Sequence, residues 1–143
     1  MIFLEGIFNI YFLKERGSIK LQIHESAENY LETILMLKKR LGQVRSIDIA
    51  TELSVSKPSV SVAMKNLRTN GYIEVDKDGY ITLLESGSAI ANKMYERHTL
   101  LTSWLTSIGV DPAIAAEDAC RIEHVISTET FEALKAHCTP ISE

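Results

Sequence analysis

Cys120, Glu123 and His124 stand at positions i, i+3 and i+4 in the run Asp118-Ala119-Cys120-Arg121-Ile122-Glu123-His124-Val125. On a helix that spacing puts a thiol, a carboxylate and an imidazole on one face. A soft, a hard and a borderline donor pointing the same way make half of a transition-metal site. Other donors must complete it. His98 offers an imidazole within Glu96-Arg97-His98-Thr99, and Asn29 and Glu32, one helical turn apart, offer oxygens. Each has an ordinary alternative, since cysteines and histidines are common in cores and Asn29 with Glu32 also reads as a solvated stripe.

The elements that must hold these residues follow from periodicity. Ser26 caps a helix over 26–41 whose apolar positions, Ala27, Tyr30, Leu31, Ile34, Leu35 and Leu37, recur at helical spacing until Gly42. A short helix spans Ser46–Leu53. Ser56 then caps a third helix with Pro58 in its first turn, where a missing N–H costs nothing. Asn70-Gly71 stops it. Two β-branched and aromatic runs, Tyr72–Val75 and Tyr80–Leu83, flank Asp76-Lys77-Asp78-Gly79, a hairpin signal. Helix, short helix, turn, helix and hairpin in this order make a winged helix-turn-helix. A long helix over Ser86–Ile108, a fifth from Pro112 to about Ile126 and a last from Ser127 to about His137 complete the chain. The predicted fold class is therefore mainly α, with an N-terminal winged helix-turn-helix over 24–85 and a helical domain over 86–143. Residues 1–23 form an accessory arm of unknown role.

Composition limits the function. The 143 residues are 45% hydrophobic and 24% charged, ordinary for a globular protein. Two cysteines make no disulfide framework and no cleavable leader opens the chain, so a cytoplasmic protein with reduced thiols is expected. The apolar run Met1–Leu13 falls short of the about 20 residues that span a bilayer. The net charge of −4 is segregated: residues 38–68 carry seven bases against two acids, and residues from 110 onward carry seven acids against two bases. The negative total argues mildly against a nucleic-acid binder, but its distribution matters more, and a basic half and an acidic half suggest separate tasks.

Three stretches together resemble one family. Ser26-Ala27-Glu28-Asn29-Tyr30-Leu31-Glu32-Thr33-Ile34, Arg97-His98, and Ala119-Cys120-Arg121-Ile122-Glu123-His124-Val125-Ile126-Ser127, with the winged helix, are similar to the diphtheria toxin repressor and manganese transport regulator family. The similarity covers roughly residues 24–137. It implies a metal-activated transcriptional repressor, not an enzyme, controlling iron or manganese homeostasis, with the helical domain over 86–143 serving metal binding and dimerisation. Carried over by position, the implied ligands are Asn29, Glu32, His98, Cys120, Glu123 and His124. Cys120 resembles the iron-type branch, whereas Glu32 and the lack of a third domain resemble the manganese-type branch. Asn29 matches neither, and Ala116 and Thr102 occupy two positions of the iron branch's ancillary site. One well-formed site is expected, with Glu32 and His98 as the start of a second. Fe2+ or Mn2+ is the implied cofactor, with Co2+, Ni2+ or Zn2+ able to substitute in vitro.

The implied partners are a palindromic double-stranded DNA operator and a second copy of the chain. The third helix would enter the major groove, placing Ser56, Lys57, Pro58, Ser59, Ser61 and Val62 near base edges or phosphates and Lys65 and Arg68 on the backbone. Ser46 at the start of the second helix would donate to a phosphate, and Lys77 at the hairpin tip would reach the flanking backbone. An alternative is a thiol-redox-sensing winged-helix regulator using Cys120, with Cys138 as the resolving thiol. A zinc or thiol hydrolase is a third, but the chain has no His-Glu-x-x-His motif and no nucleophile elbow.

Overall fold

The computed structural model describes the backbone of strands β1 (Phe12–Glu15) and β2 (Ser18–Leu21) and residues 25–138 in full. The two strands pair antiparallel, with Phe12 opposite Leu21 and Glu15 opposite Ser18. The rest of the predicted N-terminal arm, and residues 139–143, lie outside the described residues. The chain divides into two units, one ending at Asn92 and the other beginning at Lys93. This division falls inside a continuous helix, several residues beyond the boundary expected at 85/86.

In the first unit, α1 (Glu25–Leu41) opens with Glu25 and Glu28 and closes with Lys38, Lys39 and Arg40, charges that complement the helix dipole at both ends. Gly42, at φ 83°, turns the chain out of the helix. α2 (Ser46–Leu53) starts with Asp48 accepting a hydrogen bond from the Arg45 backbone N–H at 2.8 Å. Ser54 takes a left-handed conformation at φ 53°, so that its N–H closes back on α2 and α3 can begin three residues later. α3 (Lys57–Thr69) is capped by Ser56, whose hydroxyl accepts from the Ser59 N–H, with Pro58 in the first turn.

Leu31, Ile34 and Leu37 of α1 meet Val44, Ile49, Val60, Leu67, Ile73 and Ile81 in one apolar core. Each such side chain, fully withdrawn from water, contributes about 1.5–3 kcal/mol before the entropy of ordering it is counted. The hairpin of β3 (Ile73–Val75) and β4 (Ile81–Leu83) pairs Ile73 with Leu83 and Val75 with Ile81. Its turn is built by Asp76, whose Oδ1 accepts from the N–H groups of Asp78 and Tyr80 at 2.9 Å each. The Ile81 N–H donates to the Val44 carbonyl at 2.8 Å, tying the wing to the loop before α2.

α4 (Glu85–Ser107) leaves the hairpin with Leu84 N–H donating to Tyr72 O at 2.9 Å and Ser86 Oγ to Gly71 O at 3.0 Å. In the second unit α4 ends at Ser107, and Gly109, at φ 105°, turns the chain away from it. Asp111 caps α5 (Pro112–Ile122) by accepting from the Ala113 and Ile114 N–H groups, and Ser127 caps α6 (Thr128–Cys138) through the Thr130 N–H at 3.0 Å. Met94, Leu101, Ala115, Ala119 and Phe131 are buried here, and so are Arg97 and Glu123. α5 ends at Ile122, not near Ile126 as its sequence pattern predicts. The Glu123 and Ile126 carbonyls both accept from the Arg97 guanidinium, and residues 123–126 form a turn. Among the described residues no helix is long and apolar enough to cross a membrane.

Candidate metal centre and DNA-reading helix

The second unit has a carboxylate at its heart. The Glu123 side chain is 0% exposed, and an ionised carboxylate in that setting is tolerated only with partners or a cation. Its Oε2 lies 2.9 Å from His98 Nδ1, and its Oε1 lies 3.3 Å from His124 Nε2. The His124 side chain is 2% exposed, whereas that of His98 is 21% exposed. The donor chemistry fits a divalent transition metal. Oxygen and imidazole suit manganese, iron or zinc, and two neighbouring ligand atoms about 2.1 Å from an octahedral ion stand about 3 Å apart.

The three residues reach this point from two segments. His98 projects from α4 in the turn after Met94, while Glu123 and His124 sit just past the last residue of α5. Glu123, the cap residue of α5, keeps helical backbone angles, and its N–H still donates to the Ala119 carbonyl at 3.0 Å. Cys120 is still helical and exposed, whereas Glu123 is fully buried. Glu32 and Asn29 belong to α1 in the first unit; Glu32 is buried and Asn29 half-buried, its carbonyl accepting from Thr33 Oγ1 at 2.7 Å.

Arg97 is a site feature that spacing alone does not reveal. It is 4% exposed, on the stripe of Met94 and Leu101, and its Nη1 donates to the Glu123 and Ile126 carbonyls at 2.9 Å each. The guanidinium also lies 5.4 Å from the Phe131 ring centroid. The sequence signal is a cation at a position where helical periodicity calls for an apolar residue.

In the first unit α3 turns Val60, Ala63, Met64 and Leu67 inward and leaves Lys57, Pro58, Ser59, Ser61, Val62, Lys65 and Arg68 exposed. Val62, 57% exposed, is an apolar side chain on the face opposite the core, as contact with a thymine methyl requires. Ser56 is exposed, but its hydroxyl is engaged with both the N–H and the Oγ of Ser59. Ser46 is half-buried at the start of α2, and Lys77 is exposed on the wing. Arg45 stacks over the Tyr80 ring at 4.3 Å, so the approach to α2 and the wing support one another.

Burial raises the Tyr30 phenol above its ordinary value. The hydrogen bond that Arg40 of α1 donates to the Glu52 carboxylate of α2 raises its guanidinium, and the one that Lys135 of α6 donates to Glu96 of α4 raises its ammonium.

Comparison with known proteins gives the same division of labour. The family model "Iron dependent repressor, N-terminal DNA binding domain" matches residues 22–81, and "Iron dependent repressor, metal binding and dimerisation domain" matches residues 84–142. The transcriptional regulator MntR of Escherichia coli O6:H1 is 36% identical over 111 residues, covering 78% of this chain and 72% of that protein. The HTH-type transcriptional regulator MntR of Listeria monocytogenes serotype 4a is 36% identical over 107 residues, 75% of each chain. The solved structure of a manganese-dependent transcriptional repressor in complex with manganese superposes with a TM-score of 0.71 at 26% identity, covering 78% of this chain and 51% of that one. That of T. acidophilum IdeR gives 0.68 at 27% identity, covering 77% and 52%. This chain thus spans about half the length of the solved regulators it matches. With a winged reading head, a buried carboxylate–imidazole cluster and both family models in sequence, the chain belongs to the diphtheria toxin repressor and manganese transport regulator family of metal-dependent transcriptional repressors.

Proposed function

We propose that the protein is a homodimeric repressor that binds a palindromic operator when loaded with Mn2+ or Fe2+. The observation that carries this is the fully buried Glu123 carboxylate between two imidazoles, in the same chain as a helix with an exposed basic and hydroxyl face. His98, Glu123, His124 and Glu32 hold the ion in this proposal, with the Asn29 carbonyl oxygen as a further donor. Cys120, one helical turn before Glu123, is a further, softer donor, while the oxygen and nitrogen donors admit Mn2+ as well as Fe2+. The bound cation supplies positive charge that draws donors on α1, α4 and the α5–α6 turn together.

The chain's own residues convert that into DNA binding. Glu32 rides on α1, whose Leu31, Ile34 and Leu37 pack into the core that carries α3, so a restraint on Glu32 is a restraint on the reading head. The second unit's acidic helices form the two-fold interface, which places two α3 helices about one DNA turn, roughly 34 Å, apart. The linkage is a population shift between head orientations, and a typical allosteric coupling of about 1–3 kcal/mol corresponds to an affinity change of about 5–150-fold.

The test uses DNA duplexes that the protein itself selects from a random pool in the presence of Mn2+. Fluorescence anisotropy should show binding at least tenfold tighter with Mn2+ or Fe2+ than with chelator, and equal affinity under the two conditions rejects the proposal. Lys65→Ala and Arg68→Ala should weaken binding about equally on selected and unrelated sequences, each lowering the slope of log K against log salt by about 1. Val62→Ala should instead change which duplexes are selected. A selection unaltered by that change, or salt slopes equal to wild type, would remove α3 from the groove.

A further inference from the structure

We propose that Arg97 is a positioning residue for the Glu123 carboxylate, holding the end of α5 so that this side chain faces His98 and His124. The inference rests on the metal-site reading above and extends it to a residue that is not a ligand. Arg97 and His98 are consecutive on α4, and they grip one residue at two points. Nη1 of Arg97 takes the Glu123 main-chain carbonyl at 2.9 Å, while Nδ1 of His98 meets the Glu123 side chain at 2.9 Å. With both ends held from the same turn of α4, Glu123 has little freedom to swing away.

Arg97 is placed at a cost. A guanidinium stays charged in proteins, and this one is 4% exposed, with its Nε lacking a hydrogen-bond partner among the described residues. An apolar side chain between Met94 and Leu101 would continue the packing without that penalty. What the cation adds is specific. The carbonyls of Glu123, which caps α5, and of Ile126, at the far end of the following turn, both accept from Nη1, while its positive charge meets the negative end of α5. The Phe131 ring, 5.4 Å away, covers the guanidinium from α6. The turn over residues 123–126 is therefore fastened from α4, and α5 stops one residue before its carboxylate.

Outer residues that orient metal ligands typically change affinity 10–100-fold when replaced. In the full-length chain Arg97→Met should bind Mn2+ at least tenfold more weakly, read from the electron paramagnetic resonance of free Mn2+ at a temperature where circular dichroism shows the variant folded. Arg97→Lys, which keeps the charge but loses the fork, should fall between Arg97→Met and wild type. Amide hydrogen exchange should rise at residues 123–126 in Arg97→Met and stay unchanged in α1–α3, a pattern that general destabilisation does not give. Mn2+ affinity within twofold of wild type, or unchanged exchange at 123–126, overturns the proposal. If Arg97→Met does not fold, Arg97→Lys decides by the same two readings. Glu123→Ala in parallel separates the two ideas: loss of Mn2+ binding there with none in Arg97→Met removes only the role of Arg97, whereas unchanged binding in Glu123→Ala removes the metal site and the inference together.

Discussion

Glu123→Gln is expected to remove the metal response of the protein while leaving the metal-free fold near its wild-type stability. The amide has nearly the shape of the carboxylate, and its oxygen still accepts from the His98 ring at the position of Oε2, 2.9 Å from Nδ1. What disappears is the negative charge of a side chain that is 0% exposed. Because the amide oxygen keeps that contact, the metal-free protein escapes a stranded buried donor on His98. The unfolding midpoint in chelator should therefore change by only a few degrees. Metal binding has no such escape. An anionic donor at the centre of the cluster is lost, and Mn2+ affinity should fall at least 100-fold. In wild type, Mn2+ at about 100 times its dissociation constant stabilises by about 2.7 kcal/mol, a rise in melting temperature easily measured by calorimetry. Glu123→Gln should show no such rise, and an undiminished one would mean that Glu123 is not a ligand.

Much of this architecture can be read before any coordinate is seen, because its signals are local. Ser56 with Pro58 marks the start of α3 through backbone chemistry, and Asp111 with Pro112 does the same for α5. The apolar spacing of Leu31, Ile34 and Leu37 identifies the buried face of α1 in the same way. Charge segregation between the halves anticipates separate tasks for them.

The end of α5 is different. Nothing between Cys120 and Ser127 is a helix breaker, so periodicity runs on to Ile126 and places Cys120, Glu123 and His124 on one face. Where α5 stops, the Glu123 carbonyl accepts from Arg97, 26 positions away, instead of continuing the helical ladder. A tertiary hydrogen bond of that separation leaves no pattern in the segment that accepts it. Its only trace is at the other end, where a cation replaces an apolar residue in the stripe of Met94 and Leu101.

Gly87→Ala should be the most damaging single-methyl change in the DNA-reading unit. In an exposed helix interior the same exchange normally stabilises, since alanine is the better helix former by about 1 kcal/mol. Here the sign reverses. A Cβ built on Gly87 would lie 2.1 Å from the Tyr72 carbonyl oxygen, 2.9 Å from its carbon and 3.3 Å from its Cα. These are main-chain atoms, and they are held. The Tyr72 oxygen accepts from Leu84 N–H at 2.9 Å, and the Tyr72 N–H donates to Leu67 O at 3.0 Å, so the strand cannot retreat without losing its bonds to α3 and to the entry of α4. Relief therefore requires α4 to move off the hairpin, uncovering Ile73 and Ala91, which are 1% and 0% exposed. Overpacking of this kind costs about 1–3 kcal/mol, and contact with fixed backbone places it at the upper end. For a chain of this size that corresponds to a fall in melting temperature of about 10 °C. The loss should appear equally with and without metal, because the contact lies within the reading unit and away from His98, Glu123 and His124. A melting temperature equal to or above wild type would show that α4 and the hairpin can separate freely. α4 could then no longer be regarded as rigidly seated on the wing that Arg45 and Tyr80 support.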